Sequence, residues 1–131
     1  MCIRDSANTG NIGVGTTAPN AALQVNGTVT GKPAVSNATA TIDFGTGNLQ
    51  YTTQDCKAYT LNNMKDGATY MFTIQSTNST LCSFTAWSGT GTGALTVHLP
   101  PDHDYTLAGY HTVYTFVVMG SHVYTSWITG Y

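Results

Sequence analysis

The chain has 131 residues, a formal net charge of −2 and only 8% charged residues, about a third of the roughly 25% usual for soluble proteins. Its four basic residues are Arg4, Lys32, Lys57 and Lys65, and none follows Lys65. That distribution excludes the basic stripe needed for nucleic acid and the basic patch needed for an anionic membrane surface, and no apolar run approaches the ~20 residues of a spanning helix.

All six acidic residues are Asp, Thr is abundant and Gly reaches 14. Strong helix formers are therefore scarce, and residues suited to a pleated, half-buried surface dominate. The expected class is all-β. In chain order, residues 1–7 differ in character from the rest. "MCIRDS" has no apolar core of a secretory leader and reads as a spurious or junction-derived start. Residues 8–31 offer two short alternating runs, "NIGV" and "ALQV", bracketed by Gly and Pro. Residues 32–39 read as a linker, with Lys32-Pro33 biased towards an extended backbone.

Residues 40–131 read as one β domain. "ATIDF", "NLQYTT" and "AYTLNNM" alternate, and "KDG" at 65–67 is a turn signal. "ATYMFTIQS" is the clearest strand, with Tyr70, Phe72 and Ile74 on one face. "CSFTAW" follows, then the glycine loop "SGTGTG", then "ALTVHL". After the long irregular stretch "PPDHDYTLAGY", "HTVYTFVVMGSHVYTSWI" predicts a hairpin turning at Gly120-Ser121. Strands at this spacing predict an antiparallel β-sandwich or a barrel, and the sandwich is taken as the expectation.

"GNIGVGTTAPNAALQVNG", residues 10–27, resembles the G-N-[VI]-G-[IV]-G-T-x-x-P-x-x-x-L-x-V-x-G element of phage tail fibres and related bacterial trimeric fibres, almost position by position. The remainder is more loosely similar to small β domains that end such fibres, with the mosaic adhesive trimers of predatory bacteria as the nearest comparison. The resemblance implies an intertwined homotrimer, a fibre shaft over 8–31 and a tip over 40–131 that meets a target surface, on a virion or outside a cell. Many such fibres end in a self-cleaving chaperone domain, and no Ser/Lys pattern for one stands out here. Physical reasoning agrees with the shaft. Three-residue strands bury little alone, whereas three copies around an axis can bury Ile12, Val14, Leu23 and Val25 together.

Several constellations could carry chemistry. Cys56 and Cys82 are either a disulfide or two unpaired thiols; no Cys/His spacing for structural zinc occurs. Trp87, Asp102, His103, Tyr105 and Tyr110 are the candidate ligand-binding residues. Aromatic faces can stack on sugar rings while carboxylates bond hydroxyls, so a cell-surface glycan or other envelope component is the expected partner. Against this stands packing of Trp87 and Trp127 in a core or interface. The cluster His98, Asp102, His103, Asp104 and His111 admits a weaker alternative, a metal held by His103 on a trimer axis; its counterpart is a solvated loop, and no cofactor is expected. A hydrolase would need paired carboxylates from Asp43, Asp55, Asp66, Asp102 and Asp104. No nucleophile elbow accompanies them, so a non-enzymatic protein is expected. A purely structural trimerisation cap is the alternative to a receptor-binding tip.

Overall fold

The computed structural model describes residues 3–5 and 10–131, which divide into two units, residues 1–30 and residues 31–131. In the first unit, β1 (Ile3–Asp5), β2 (Ile12–Val14) and β3 (Leu23–Val25) form a three-stranded sheet. β1 is antiparallel to β2, so part of the segment expected to be foreign pairs with the segment expected to be a shaft. β2 and β3 are parallel, with Ile12 opposite Leu23 and Val14 opposite Val25. The short strands thus find backbone partners within one chain, Ile12 N–H donating to Ala22 O and Asn26 N–H to Val14 O, both at 2.8 Å. Their side chains fare differently: Ile12 is 41%, Val14 39% and Leu23 63% exposed.

The second unit begins before the expected domain start. Within the segment expected to be a linker, β4 (Val35–Ser36) pairs with a later strand, and Asn37 Nδ2 donates to Gln50 Oε1 at 2.9 Å. The strands that follow are β5 (Thr41–Asp43), β6 (Leu49–Thr52), β7 (Ala58–Asn62), β8 (Thr69–Ile74) and β9 (Ser83–Trp87). After them come β10 (Ala94–His98), β11 (Thr112–Met119) and β12 (His122–Thr129). They form one nine-stranded sheet in the order β4-β6-β8-β11-β12-β10-β9-β7-β5.

That order has a simple logic. From β4 to β9 the chain alternates between two walls. Even strands β4, β6 and β8 stack in parallel on one, and odd strands β5, β7 and β9 stack in parallel on the other. Each even–odd pair is one rung, so the arrangement is solenoid-like. The all-β expectation holds; the antiparallel sandwich does not describe residues 35–87, whose pairing is parallel. Antiparallel pairing enters with the last three strands. β11 pairs with β8 and β12, β10 with β9, and β10 and β12 join in parallel. These three strands bridge the two walls and close one end of the stack, where an open end would expose unpaired backbone groups.

Alternation places apolar side chains between the walls. Ile42, Leu61 and Ala86 lie at matched positions on β5, β7 and β9, and all are buried. Tyr59 and Phe84 form a second ladder. Across the core, Tyr59 meets Phe72 edge-on at a centroid distance of 5.0 Å, and Phe84 meets Tyr114 at 4.9 Å and Phe116 at 5.2 Å. These distances lie in the range where aromatic pairs attract beyond simple burial.

The turns collect at two edges. At the edge joining odd to even strands, Asn63 adopts φ +59°, which Asn tolerates better than most residues. Its Nδ2 donates to Asp43 Oδ1 at 2.7 Å and to Thr90 Oγ1 at 3.3 Å, tying three successive turns together. The hairpin at Gly120-Ser121 turns at the same edge, with Gly120 at φ +62° and its N–H donating to Asp66 Oδ1 at 2.7 Å.

Candidate functional site

The opposite edge gathers the turns that follow β6 and β8, the long loop after β10 and the chain end after β12. Cys56 and Cys82 form a disulfide there, with Cα atoms 4.6 Å apart. Threonine hydroxyls stitch the loops beside it. Cys56 N–H donates to Thr80 Oγ1 at 2.9 Å, Thr80 N–H to Thr106 Oγ1 at 3.0 Å, and Thr106 Oγ1 to Asn78 O at 2.8 Å. Gly109 N–H reaches Thr77 O at 2.7 Å, Leu107 N–H reaches Thr129 Oγ1 at 3.1 Å and His111 N–H reaches Tyr131 O at 3.0 Å. A loop of more than ten residues would ordinarily be mobile or functional; this one is tied along its length.

The tying turns particular side chains outward. Tyr105 is 57%, Tyr110 47% and Tyr131 63% exposed, beside exposed Leu107, Asp102 and Asp104. Four of the five candidate ligand-binding residues therefore share one loop, and Tyr131 joins them through the chain end. Trp87 does not. It closes β9 at the other edge, where its carbonyl accepts from Met64 N–H at 3.1 Å, and its register partner is Ala94 at the start of β10. A groove of about 530 Å³, lined by Lys32, Phe44, Thr46 and Leu49 among others, also lies at that other edge.

His103 is set apart from its loop neighbours. Its ring turns inward, with Nε2 3.1 Å from Tyr114 Oη and the ring edge-on to Trp127 at 5.2 Å. Burial lowers its pKa, against the opposing pull of Asp104 and Asp102. Burial also pushes the Tyr114 hydroxyl well above its ordinary range. The pair is thus a neutral plug at the end of the core. Its Nε2 is engaged within its own chain, which leaves only Nδ1 for the metal role considered from sequence.

The carboxylates are largely committed. Asp43 accepts from Asn63 and from Gly45 N–H at 2.9 Å, Asp66 accepts from Gly120, and Asp55 accepts from Ser76 and Asn78. The bonds from Ser76 and then Asn78 hold Asp55 below the usual carboxylate range, opposite to what a general acid requires. Among the described residues, no group of three or more His, Cys, Asp or Glu is placed to hold a metal ion.

One pairing was not legible in the sequence. His98 on β10 and His122 on β12 are both exposed, with His98 Nε2 and His122 Nδ1 2.9 Å apart. His98 stacks on Tyr124 at 5.2 Å and 15°. The contact arises because β10 and β12 run parallel with His98 opposite Tyr124, two residues beyond His122. Sequence separation of 24 residues and no shared motif concealed it. Compared with known proteins, the chain matches no family model, no curated protein and no solved structure.

Proposed function

We propose that the chain is the tip of a trimeric, non-enzymatic fibre of the phage-tail-fibre or adhesin type, recognising a cell-surface glycan or other envelope component. The observation that carries this reading is the tied loop that turns Tyr105 and Tyr110 outward beside Asp102 and Asp104, with Tyr131 at the same edge. Aromatic faces next to carboxylates suit a polyhydroxylated ligand, which offers apolar ring faces and hydroxyl donors. The absence of Lys and Arg after residue 65 fits recognition by shape and hydroxyl bonding rather than ionic steering.

The trimer is supported by the first unit. Ile12, Val14, Leu23 and Val25 share one sheet face, and three of them are left exposed in a single chain. Copies packed about an axis would cover that face and present the tip three times, strengthening individually weak contacts. The disulfide fits an oxidising, extracellular setting. A purely structural cap is the competing reading, favoured by the way β10 to β12 close the stack.

Light scattering behind a sizing column tests the assembly: a mass three times that of one chain is expected, and a folded monomer would overturn it. A glycan array, followed by titration of any hit against Tyr105→Ala/Tyr110→Ala, tests recognition. A loss of about tenfold or more is expected for anchors of this kind. A trimer that binds no glycan or envelope preparation would leave the structural cap.

A further inference from the structure

We propose that His98 and His122 form a surface binding site for a divalent transition-metal cation, copper(II) before zinc(II). The two nitrogens already stand 2.9 Å apart on neighbouring parallel strands, so the sheet positions them without help from a loop. Their ring centroids are 5.1 Å apart, and the two nitrogens face each other across a shared N–H. Each neutral ring can carry its proton on the other nitrogen. Moving the shared proton to His98 Nδ1 or His122 Nε2 through water therefore frees both facing lone pairs, and no net proton is lost.

The spacing separates the candidate cations. With metal–nitrogen bonds of about 2.05 Å, ligands at right angles lie about 2.9 Å apart, whereas tetrahedral ligands lie about 3.3 Å apart. A tetragonal cation such as copper(II) accepts the observed separation once the rings tilt to converge. Zinc(II) requires the nitrogens to move apart as well. Tyr124 holds the plane of His98, so the adjusting ring is His122, which follows the Gly120-Ser121 turn.

The surroundings favour a soft or borderline ion. Met119 lies directly opposite His122 across the hairpin, on the same face, and is 57% exposed. Its thioether can serve as a weak further ligand of the type copper accepts. The other outward residues at these register positions, Thr96, Val117 and Tyr124, bring no charge. Asp66, bonded to Gly120 N–H, adds one negative charge beside the turn. Water completes the coordination.

The test uses the full chain carrying Cys2→Ser, so that a thiol does not consume copper. One equivalent of copper(II), buffered by glycine, should broaden the NMR ring signals of His98 and His122 before those of His103 and His111. Competition titration should show binding weakened by about tenfold or more in His98→Asn and in His122→Asn, and unchanged in His111→Asn. Thermal melts without metal check that each variant folds. Broadening that begins at His103 or His111, or parent-like copper affinity in a folded His98→Asn or His122→Asn chain, would overturn the site.

Discussion

Removing the disulfide by Cys56→Ala/Cys82→Ala tests how the rungs are held. The bridge spans 26 residues of sequence and ties the turn before β7 to the turn before β9, one rung to the next. Both sulfurs are buried, Cys82 at 1% and Cys56 at 8% exposure, so alanine is the neutral replacement. Closing a loop of that length removes about 3.5 kcal/mol of chain entropy from the unfolded state. At ~2.1 cal/mol/K per residue, the roughly 100 residues of the second unit convert this into a fall in Tm of about 17 °C. Urea unfolding of both proteins under oxidising conditions is the assay. The m-value should also rise, because the uncrosslinked unfolded chain exposes more surface. A loss below about 1 kcal/mol with an unchanged m-value would refute the argument that the bridge acts on the unfolded chain.

Three further outcomes follow from the packing. Leu61→Ala, at the buried centre of the Ile42–Leu61–Ala86 ladder, should cost 2–5 kcal/mol by urea titration, whereas Leu49→Ala, at a site 46% exposed, should cost under about 1 kcal/mol. Asn63→Ala should lose about 2 kcal/mol, from left-handed strain and the bonds to Asp43 and Thr90, and Asn63→Gly about 1 kcal/mol less, because only the bonds go. His103 binds its proton less readily folded than unfolded. Its contribution to stability is therefore complete above its unfolded value of about 6.5 and is lost as pH falls through the lowered folded value. His103→Gln should accordingly flatten the dependence of the urea midpoint on pH between 7 and 5, and an unaltered slope would show the ring to be freely solvated.

Strand positions were legible in the sequence, and strand partners were not. Period-two alternation located β5 to β12 to within a residue or two, and Gly120-Ser121 marked the hairpin. Alternation reports which face of a strand is buried, and that pattern is the same for parallel and antiparallel neighbours. The turn after β7 returns to the other wall rather than folding back as a hairpin, and the turn residues Lys65-Asp66-Gly67 serve either path. A usable signal was present in matched apolar pairs, Ile42 with Leu61 and Tyr59 with Phe84, which recur one rung apart. The loop of Asp102, Tyr105 and Tyr110 was readable as a polar, aromatic cluster. The inward turn of His103 was not, because it depends on Tyr114 and Trp127 arriving from the hairpin. Trp87 looked like a companion of that loop only because aromatic composition carries no information about which edge of a stack a residue occupies.

The bridge between Cys56 and Cys82 also sets how the second unit yields to tension. Parallel rungs pulled from Gly31 come away one at a time, as a zipper does, since each rung is held to the next by its own backbone bonds and the side chains stacked with them. Peeling can release β4, β5 and β6 but meets a covalent stop at Cys56. The 25 or so residues before that stop span at most about 80–90 Å when drawn straight. Residues 57–81, enclosed by the bridge, are bypassed by the pull, and the tyrosine-bearing loop beyond Cys82 keeps its form until the strands that close the stack give way. If the chain holds its target through that loop, as proposed above, it would stretch like a tether before it let go.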